Sequence, residues 1–404
     1  MPNLVERFRA ITAPAFAPLF VFFFFLSGIY AIPFISIEVG LIARVKQALF
    51  VVFVILMGCN LNWTKAIRTR FTFLCGLWAL LNIVNWLIHA EYGSIYLQRV
   101  AQILYIFAFV NLVIQIEAPP YQFLRVRAWY RPKIISLICL SLVLLSGIPE
   151  ITHAISYGFG NNRVNFSIWL SQLVFLTFLV GQSSDKKSIV HAFALATPII
   201  ILQVFTGGRT GLMASVAIAI YFATRAGGVR FAALSFIYLL FLITVSASIA
   251  PSPEVFPGTY VFRGLGDTVI GETIPQKIDR FTSYRLSIMI SACSLLSIKS
   301  IITGLGVMNF KGHAMGVYID VHNIYLRALG ELGIAGLVVL LLLLSIPYFG
   351  KALNSDEQAA RVFCGVFFCV GMVHPDLLTT AISTCMIYWL SYAEACGSRN
   401  KWVS

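Results

Sequence analysis

Three residues far apart in this chain, Arg209, Arg285 and His322, are of the types that together can part a sugar from a phosphate. Arg209 lies in Phe205-Thr-Gly-Gly-Arg-Thr-Gly211, Arg285 follows Thr282-Ser-Tyr284, and His322 follows Asp320-Val and precedes Asn323. A guanidinium offers a rigid fork of donors matched to phosphate oxygens and keeps its proton. Two of them can hold a pyrophosphate and stabilise the charge that grows as it leaves a sugar. Histidine titrates near neutrality, so it can accept the proton of an attacking hydroxyl, a contribution of ~10²–10⁴-fold. Asn323 is placed to orient the acceptor or the imidazole. Gly208 and its neighbours let the backbone turn tightly and approach a ligand, with helix amides nearby to face an anion.

Each of these residues also has a structural reading. Arg209 can snorkel to lipid phosphates, Arg285 can be a solvated charge at a helix start, and His322 an inert interfacial side chain. For Lys311 and His313 the choice is between a second phosphate contact and a solvated loop. For Arg163, near His153 and Asn161-Asn162, it is between a sugar or phosphate contact and solvation. His374-Pro375-Asp376 offers an acid/base pair or a helix–helix turn. Gly330, Gly333 and Gly336 read as close helix packing, which would help position His322.

The elements that must carry these residues are membrane helices. The chain has 404 residues, 59% of them hydrophobic and 11% charged, with a mean hydropathy of +0.87. A soluble protein carries about 25% charged residues. Apolar runs of spanning length, which need about 20 residues, fall near 14–35, 45–61, 71–90, 98–117, 134–150, 166–182, 189–206, 211–224, 231–250, 325–349, 361–374 and 377–396. About twelve transmembrane helices in one polytopic domain, 1–404, are therefore expected. The first run is too long for a signal-peptide core and lacks a small-residue cleavage site. Continuous runs of this length exclude lipid-exposed β structure.

The net charge of +13 follows the positive-inside rule. Clusters such as Arg7/Arg9, Lys65/Arg68/Arg70, Arg125/Arg127/Arg131/Lys133 and Arg225/Arg230 fall on one side if both termini are cytoplasmic. A nucleic-acid partner is not implied. Residues 251–322 then form one long outer segment between the ninth and tenth spans, opened by Pro251-Ser-Pro253, with an amphipathic helix over 285–296 that Thr303-Gly-Leu-Gly306 ends. Segments of this length act as lids or binding elements. The same topology puts Arg209, Arg285 and His322 on one outer surface.

The eight cysteines show neither zinc-site spacing nor a disulfide framework. No DxD pair stands on the outer side, no nucleotide-binding motif occurs, and no cofactor is expected. An activated donor outside the cytoplasm must carry its own leaving group, which points to a lipid-linked pyrophosphate.

The C-terminal half resembles the bacterial O-antigen ligase and polymerase superfamily. The resemblance rests on Gly207–Gly211, Tyr284-Arg285-Leu286, Ile302-Thr-Gly304-Leu-Gly306 and His322–Gly336, which occur in the family's order. His322-Asn323, nine residues, Gly333, two residues and Gly336 fit the family pattern His-[Asn/Ser/Gln]-x9-Gly-x2-[Gly/Thr/Tyr]. The proline that often precedes the Gly-x-Gly element is missing at 301–303. The resemblance implies a membrane-embedded, inverting, metal-independent glycosyltransferase of C-type in the bacterial inner membrane, with its active site facing the periplasm. It would move O-antigen from undecaprenyl pyrophosphate to a sugar hydroxyl of lipid A–core in lipopolysaccharide biosynthesis. Arg209 and Arg285 would hold the pyrophosphate and His322 would activate the hydroxyl. Asn323, Tyr284, Gly208, Arg163, His313 and Lys311 are the expected substrate contacts. An O-antigen polymerase or a protein O-oligosaccharyltransferase shares this chemistry and differs in acceptor. A flippase for a lipid-linked saccharide is the competitor of another class, though internal repeats and midplane charges, frequent in transporters, are not evident.

Overall fold

The computed structural model describes residues 61, 63–66, 69–89, 93–115, 131–156, 163–181, 186–249, 285–314, 317–349, 351–352, 354–372 and 386–397, with single positions at 52, 55, 58, 273, 274 and 276. The expected span at 14–35, most of that at 45–61, nearly all of 251–284 including Tyr284, and His374-Pro375-Asp376 lie outside the described residues.

The long helices are α1 (Arg70–His89), α2 (Gly93–Gln115), α3 (Pro132–Leu144), α5 (Arg163–Val180), α6 (Lys186–Thr206), α7 (Arg209–Ile249) and α10 (Ile324–Ser345), joined by a short α4 (Pro149–Ser156). Two smaller helices, α8 (Arg285–Cys293) and α9 (Ile298–Thr303), precede α10, and α11 (Ser355–Val370) and α12 (Met386–Gly397) follow it. Among the described residues, five helices are long and apolar enough to cross a membrane, which makes this a helical membrane protein. Phe73, Leu87, Leu144, Leu234 and Phe241 are 66–74% exposed, an apolar outer face suited to lipid rather than water.

The inside is held by close aromatic packing. Phe175 stacks on Phe363 at 4.0 Å and Phe178 on Phe222 at 5.3 Å, joining α5, α7 and α11. Such pairs contribute about 1 kcal/mol each beyond the area they bury. Buried Gln172 accepts the Ile387 amide at 3.0 Å and fixes the start of α12.

Helix α7 is not one straight rod. Gly228 has φ 71° and ψ −168°, outside the helical region. In a straight helix Tyr238 would lie about 40 Å beyond Arg209. Its hydroxyl is instead 2.7 Å from Thr197, in the helix that ends where α7 begins. The chain therefore turns back at Gly228, and its halves correspond to the runs at 211–224 and 231–250.

The segment before α10 holds an element that helix-oriented reading does not anticipate. Strands β1 (Lys311–Ala314) and β2 (Val317–Asp320) pair antiparallel, with Lys311 opposite Asp320 and His313 opposite Tyr318. Four residues are too few for a period-two pattern to stand out. This hairpin qualifies the all-α expectation, and the amphipathic helix expected over 285–296 runs from Arg285 to Cys293.

Candidate functional site

Arg209 is placed by the seam between α5 and α7. Gly207 takes a left-handed φ of 67°, ending α6 and redirecting the chain into α7. Ser167 Oγ donates to the Gly208 carbonyl at 2.6 Å, and Gln203 Nε2 donates to the Ser167 carbonyl at 2.8 Å. A Cβ on Gly211 would lie 2.2 Å from the Ser167 carbonyl group, so only glycine lets the first turn of α7 sit there. Gly208 is buried, and its amide reaches Thr206 Oγ1 at 3.3 Å. Both polar groups of Gly208 are engaged inside the protein, which fixes the backbone beside Arg209. Arg163 opens α5 one turn before Ser167, which puts its backbone at the same seam.

Helix α8 joins the three segments. At its start, Arg285 Nη1 donates to Thr210 Oγ1 at 3.4 Å, beside Arg209. One turn on, Met289 Sδ receives Asn323 Nδ2 at 3.8 Å, beside His322. Residues 285 and 289 share a helix face about 6 Å apart. The Arg209 and His322 segments, 113 positions apart, thus meet on neighbouring turns of one helix. Arg209, Arg285 and His322 are all half-buried.

The hairpin docks on the same helix. A Cβ on Gly312 would lie 2.0 Å from the Ile288 carbonyl oxygen, and the His313 amide donates to Ser291 Oγ at 2.9 Å. Strand alternation sends Gly312 and Ile319 toward α8 and leaves His313 and Tyr318 outward, their rings edge to face at 5.3 Å. His313 is exposed and Lys311 half-buried. The hairpin leads directly into Val321, wholly buried, and then His322.

Asn323 caps α10: its Oδ1 accepts the amides of Tyr325 at 3.0 Å and Leu326 at 2.9 Å. The Ile324 amide donates to the Gly371 carbonyl at the end of α11, at 2.9 Å. This cap sets the angle at which the chain leaves His322.

Helix α10 then breaks where close helix packing was expected. Gly333 has φ 74° and ψ −171°. A Cβ on Gly336 would lie 3.1 Å from the Ala328 carbonyl oxygen, positions about 12 Å apart along a straight helix. The chain bends back at Gly333, so residues 324–332 form a short separate block. Its last carbonyls lose their helical partners. The segment after α9 supplies them: Leu305 N–H reaches the Gly330 carbonyl at 2.8 Å and Gly306 N–H the Glu331 carbonyl at 3.2 Å. A Cβ on Gly304 would lie 2.2 Å from the Glu331 carbonyl oxygen. Gly330, Gly333 and Gly304 are needed for this docking, against Phe310, Ile302 and Glu331 respectively, and not for helix-on-helix contact.

Beneath the docked segment lies a polar assembly that sequence reasoning missed. Glu331 Oε2 pairs with Arg99 Nη1 at 2.5 Å, while Oε1 receives Arg327 Nε at 3.2 Å and the Met308 amide at 3.1 Å. Met308 holds φ 69°, rare for a residue with a side chain. Tyr96 Oη accepts the Val307 amide at 2.8 Å and donates to Asn85 Oδ1 at 2.5 Å, and Asn85 Nδ2 donates to the Thr303 carbonyl at 3.2 Å. Arg99 and Glu331 are 232 positions apart, so no spacing rule links them. The available signal was a pair of charges, Arg99 and Glu331, inside otherwise apolar runs.

The ends of α1, α2, α5, α6, α7, α10 and α11 that carry these contacts gather on one side of the bundle. No family model matches the chain, and no curated protein is significantly similar to it. The fold and these contacts define a helical membrane protein with an arginine-rich polar assembly at one end.

Proposed function

We propose that the chain is an O-antigen ligase: a membrane-embedded glycosyltransferase that moves O-antigen from undecaprenyl pyrophosphate to a hydroxyl of lipid A–core. The observation that supports this most is the meeting of the Arg209, Arg285 and His322 segments on adjacent turns of α8. In this reading the bundle has about twelve spans, both termini are cytoplasmic, and the polar end with the 251–322 segment faces the periplasm. Arg209 and Arg285 hold the donor pyrophosphate and take up its charge as it departs. The His322 imidazole removes the proton from the acceptor hydroxyl. The hydroxyl oxygen bonds to the anomeric carbon from the face opposite the pyrophosphate as the carbon–phosphate-oxygen bond breaks. Configuration inverts, and undecaprenyl pyrophosphate leaves. Asn323, tied to the helix cap through Oδ1, fixes the backbone beside His322, and Arg163, Tyr284, Lys311 and His313 are the further substrate contacts proposed.

The test is transfer by purified protein, with undecaprenyl-pyrophosphate-linked O-antigen and lipid A–core, read as a gel shift of the core band. Wild type should shift the band, and His322→Ala should lose ~10²–10⁴-fold in rate with normal accumulation in the membrane. Near-normal transfer by the variant removes the general-base role. Growth of the donor chain without a core shift would make the protein a polymerase. Arg209→Lys should be nearly as damaging as Arg209→Ala, because a point charge does not replace the fork; full activity with lysine would reduce Arg209 to a simple cation.

A further inference from the structure

We propose that Glu331, held between Arg99 and Arg327, is a positioning residue that sets where His322 sits relative to α8. The inference deepens the glycosyl-transfer reading of this end of the molecule and rests on it.

The argument starts from the break at Gly333. Because the chain bends back there, the block 324–332 that carries His322 at its head is not steered by the rest of α10. Something else must fix it. At its tail, the Glu331 carboxylate joins three separate parts of the chain: Arg99 of α2, Arg327 of the block itself, and the Met308 amide of the docked segment. At its head, Asn323 meets Met289 of α8, the helix that also carries Arg285. The block is therefore a short lever, anchored at Glu331 and delivering His322 to α8. Arg327 lies within the first turns of the lever, so the ion pair at 3.2 Å also stiffens it internally.

The assembly is poorly arranged for stability alone. Arg99 and Glu331 side chains are only 7% and 3% exposed, and taking both charges out of water offsets most of their attraction. Two cations meet one carboxylate, and Arg99 Nη2 has no hydrogen-bond partner among the described residues. What such a cluster supplies is a single geometry, because a displaced partner leaves a buried charge exposed to apolar surroundings. Positive charge also suits the tail of the block, where the helix carbonyls end.

The experiment uses full-length protein in native membranes, with its own cysteines replaced. One cysteine pair, Met289→Cys with Asn323→Cys, reports the head of the lever against α8 by cross-linking with a short bis-thiol reagent. A second, Gly181→Cys with Ala192→Cys, reports the fold elsewhere, since a Cβ at 181 would lie 3.1 Å from that of Ala192. Each pair is compared with and without Arg99→Met/Glu331→Met, which removes both buried charges together. The expected result is a large fall in the 289–323 cross-link, an unchanged 181–192 cross-link, and, for Arg99→Met/Glu331→Met in the protein without the cysteine pairs, a kcat lowered ~10²-fold with KM held, as for a misplaced catalytic group. Should that double variant not accumulate, Glu331→Gln carries the test, because the amide oxygen can still accept from Met308 while the charge and one of the two acceptor oxygens are lost. An unchanged 289–323 cross-link in whichever variant accumulates overturns the proposal, as does a KM effect with kcat intact. If wild type transfers no sugar, yet the 289–323 cross-link still depends on Glu331, the positioning role stands and the glycosyl-transfer reading falls.

Discussion

Gly228 and Gly333 break their helices with nearly the same backbone, φ 71° and ψ −168° against φ 74° and ψ −171°. Their surroundings have nothing else in common. A Cβ on Gly228 would meet no atom within 4 Å, and the turn simply sends the second half of α7 back along α6. A Cβ on Gly333 would lie 2.3 Å from the Ile302 carbonyl oxygen and 3.0 Å from the Gly304 amide. Its freed carbonyls are capped by Leu305 and Gly306, and a buried ion cluster sits one turn away. The first is a turn between helices that pack as membrane helices do. The second is a joint, where irregular backbone is tolerated because the docked segment supplies partners to the carbonyls of Gly330 and Glu331. The same local conformation serves connection in one place and, in the reading proposed above, the placement of His322 in the other.

Substitutions can break or sharpen this contrast. Gly333→Ala should have the largest effect. A positive φ with ψ near 180° is a backbone essentially confined to glycine and costs another residue about 1–3 kcal/mol, and the obstructing carbonyl adds about 1–3 kcal/mol of overpacking. Thermal unfolding in detergent should fall by several degrees and transfer should be lost; an unchanged melting temperature would mean that the joint is loose. Gly312→Ala comes next. It meets the Ile288 carbonyl oxygen without a backbone penalty, so about 1–3 kcal/mol is expected from overpacking alone. The hairpin would lift from α8, and transfer should drop more than melting does; equal transfer would separate the hairpin from the site. Gly228→Ala should do least to function, with about 1–3 kcal/mol of backbone strain, no clash and unaltered transfer. A loss of transfer at Gly228 equal to that at Gly333 would erase the distinction.

Legibility in the sequence followed the range of the forces involved. Helix α8 was visible because amphipathic spacing acts within a few residues, but it ends at Cys293, and Gly304 stops the separate helix α9. The helices at 70–89, 93–115 and 186–206 lie close to the apolar runs read for them, since spanning length is a local property. Position 209, by contrast, sits in a glycine-rich stretch whose signal was read as an approach to ligand. Gly211 is spent instead on the approach of α7 to Ser167, a partner 44 positions away. Gly333 looked like packing between straight helices, because a sequence cannot distinguish a glycine that lacks a side chain for contact from one that needs a positive φ.

By itself the sequence determined that this is a helical membrane protein, and it singled out Arg209, Arg285 and His322 as a set whose chemistry suits pyrophosphate and a hydroxyl. Hydropathy and side-chain chemistry are properties of residues and their near neighbours, so they can be read without coordinates. The tertiary structure alone decided that α8 joins the Arg209 and His322 segments, that α10 breaks at Gly333, and that Arg99 closes on Glu331. Those facts depend on which distant backbones approach each other, and that is set by packing and by the need to satisfy each buried polar group.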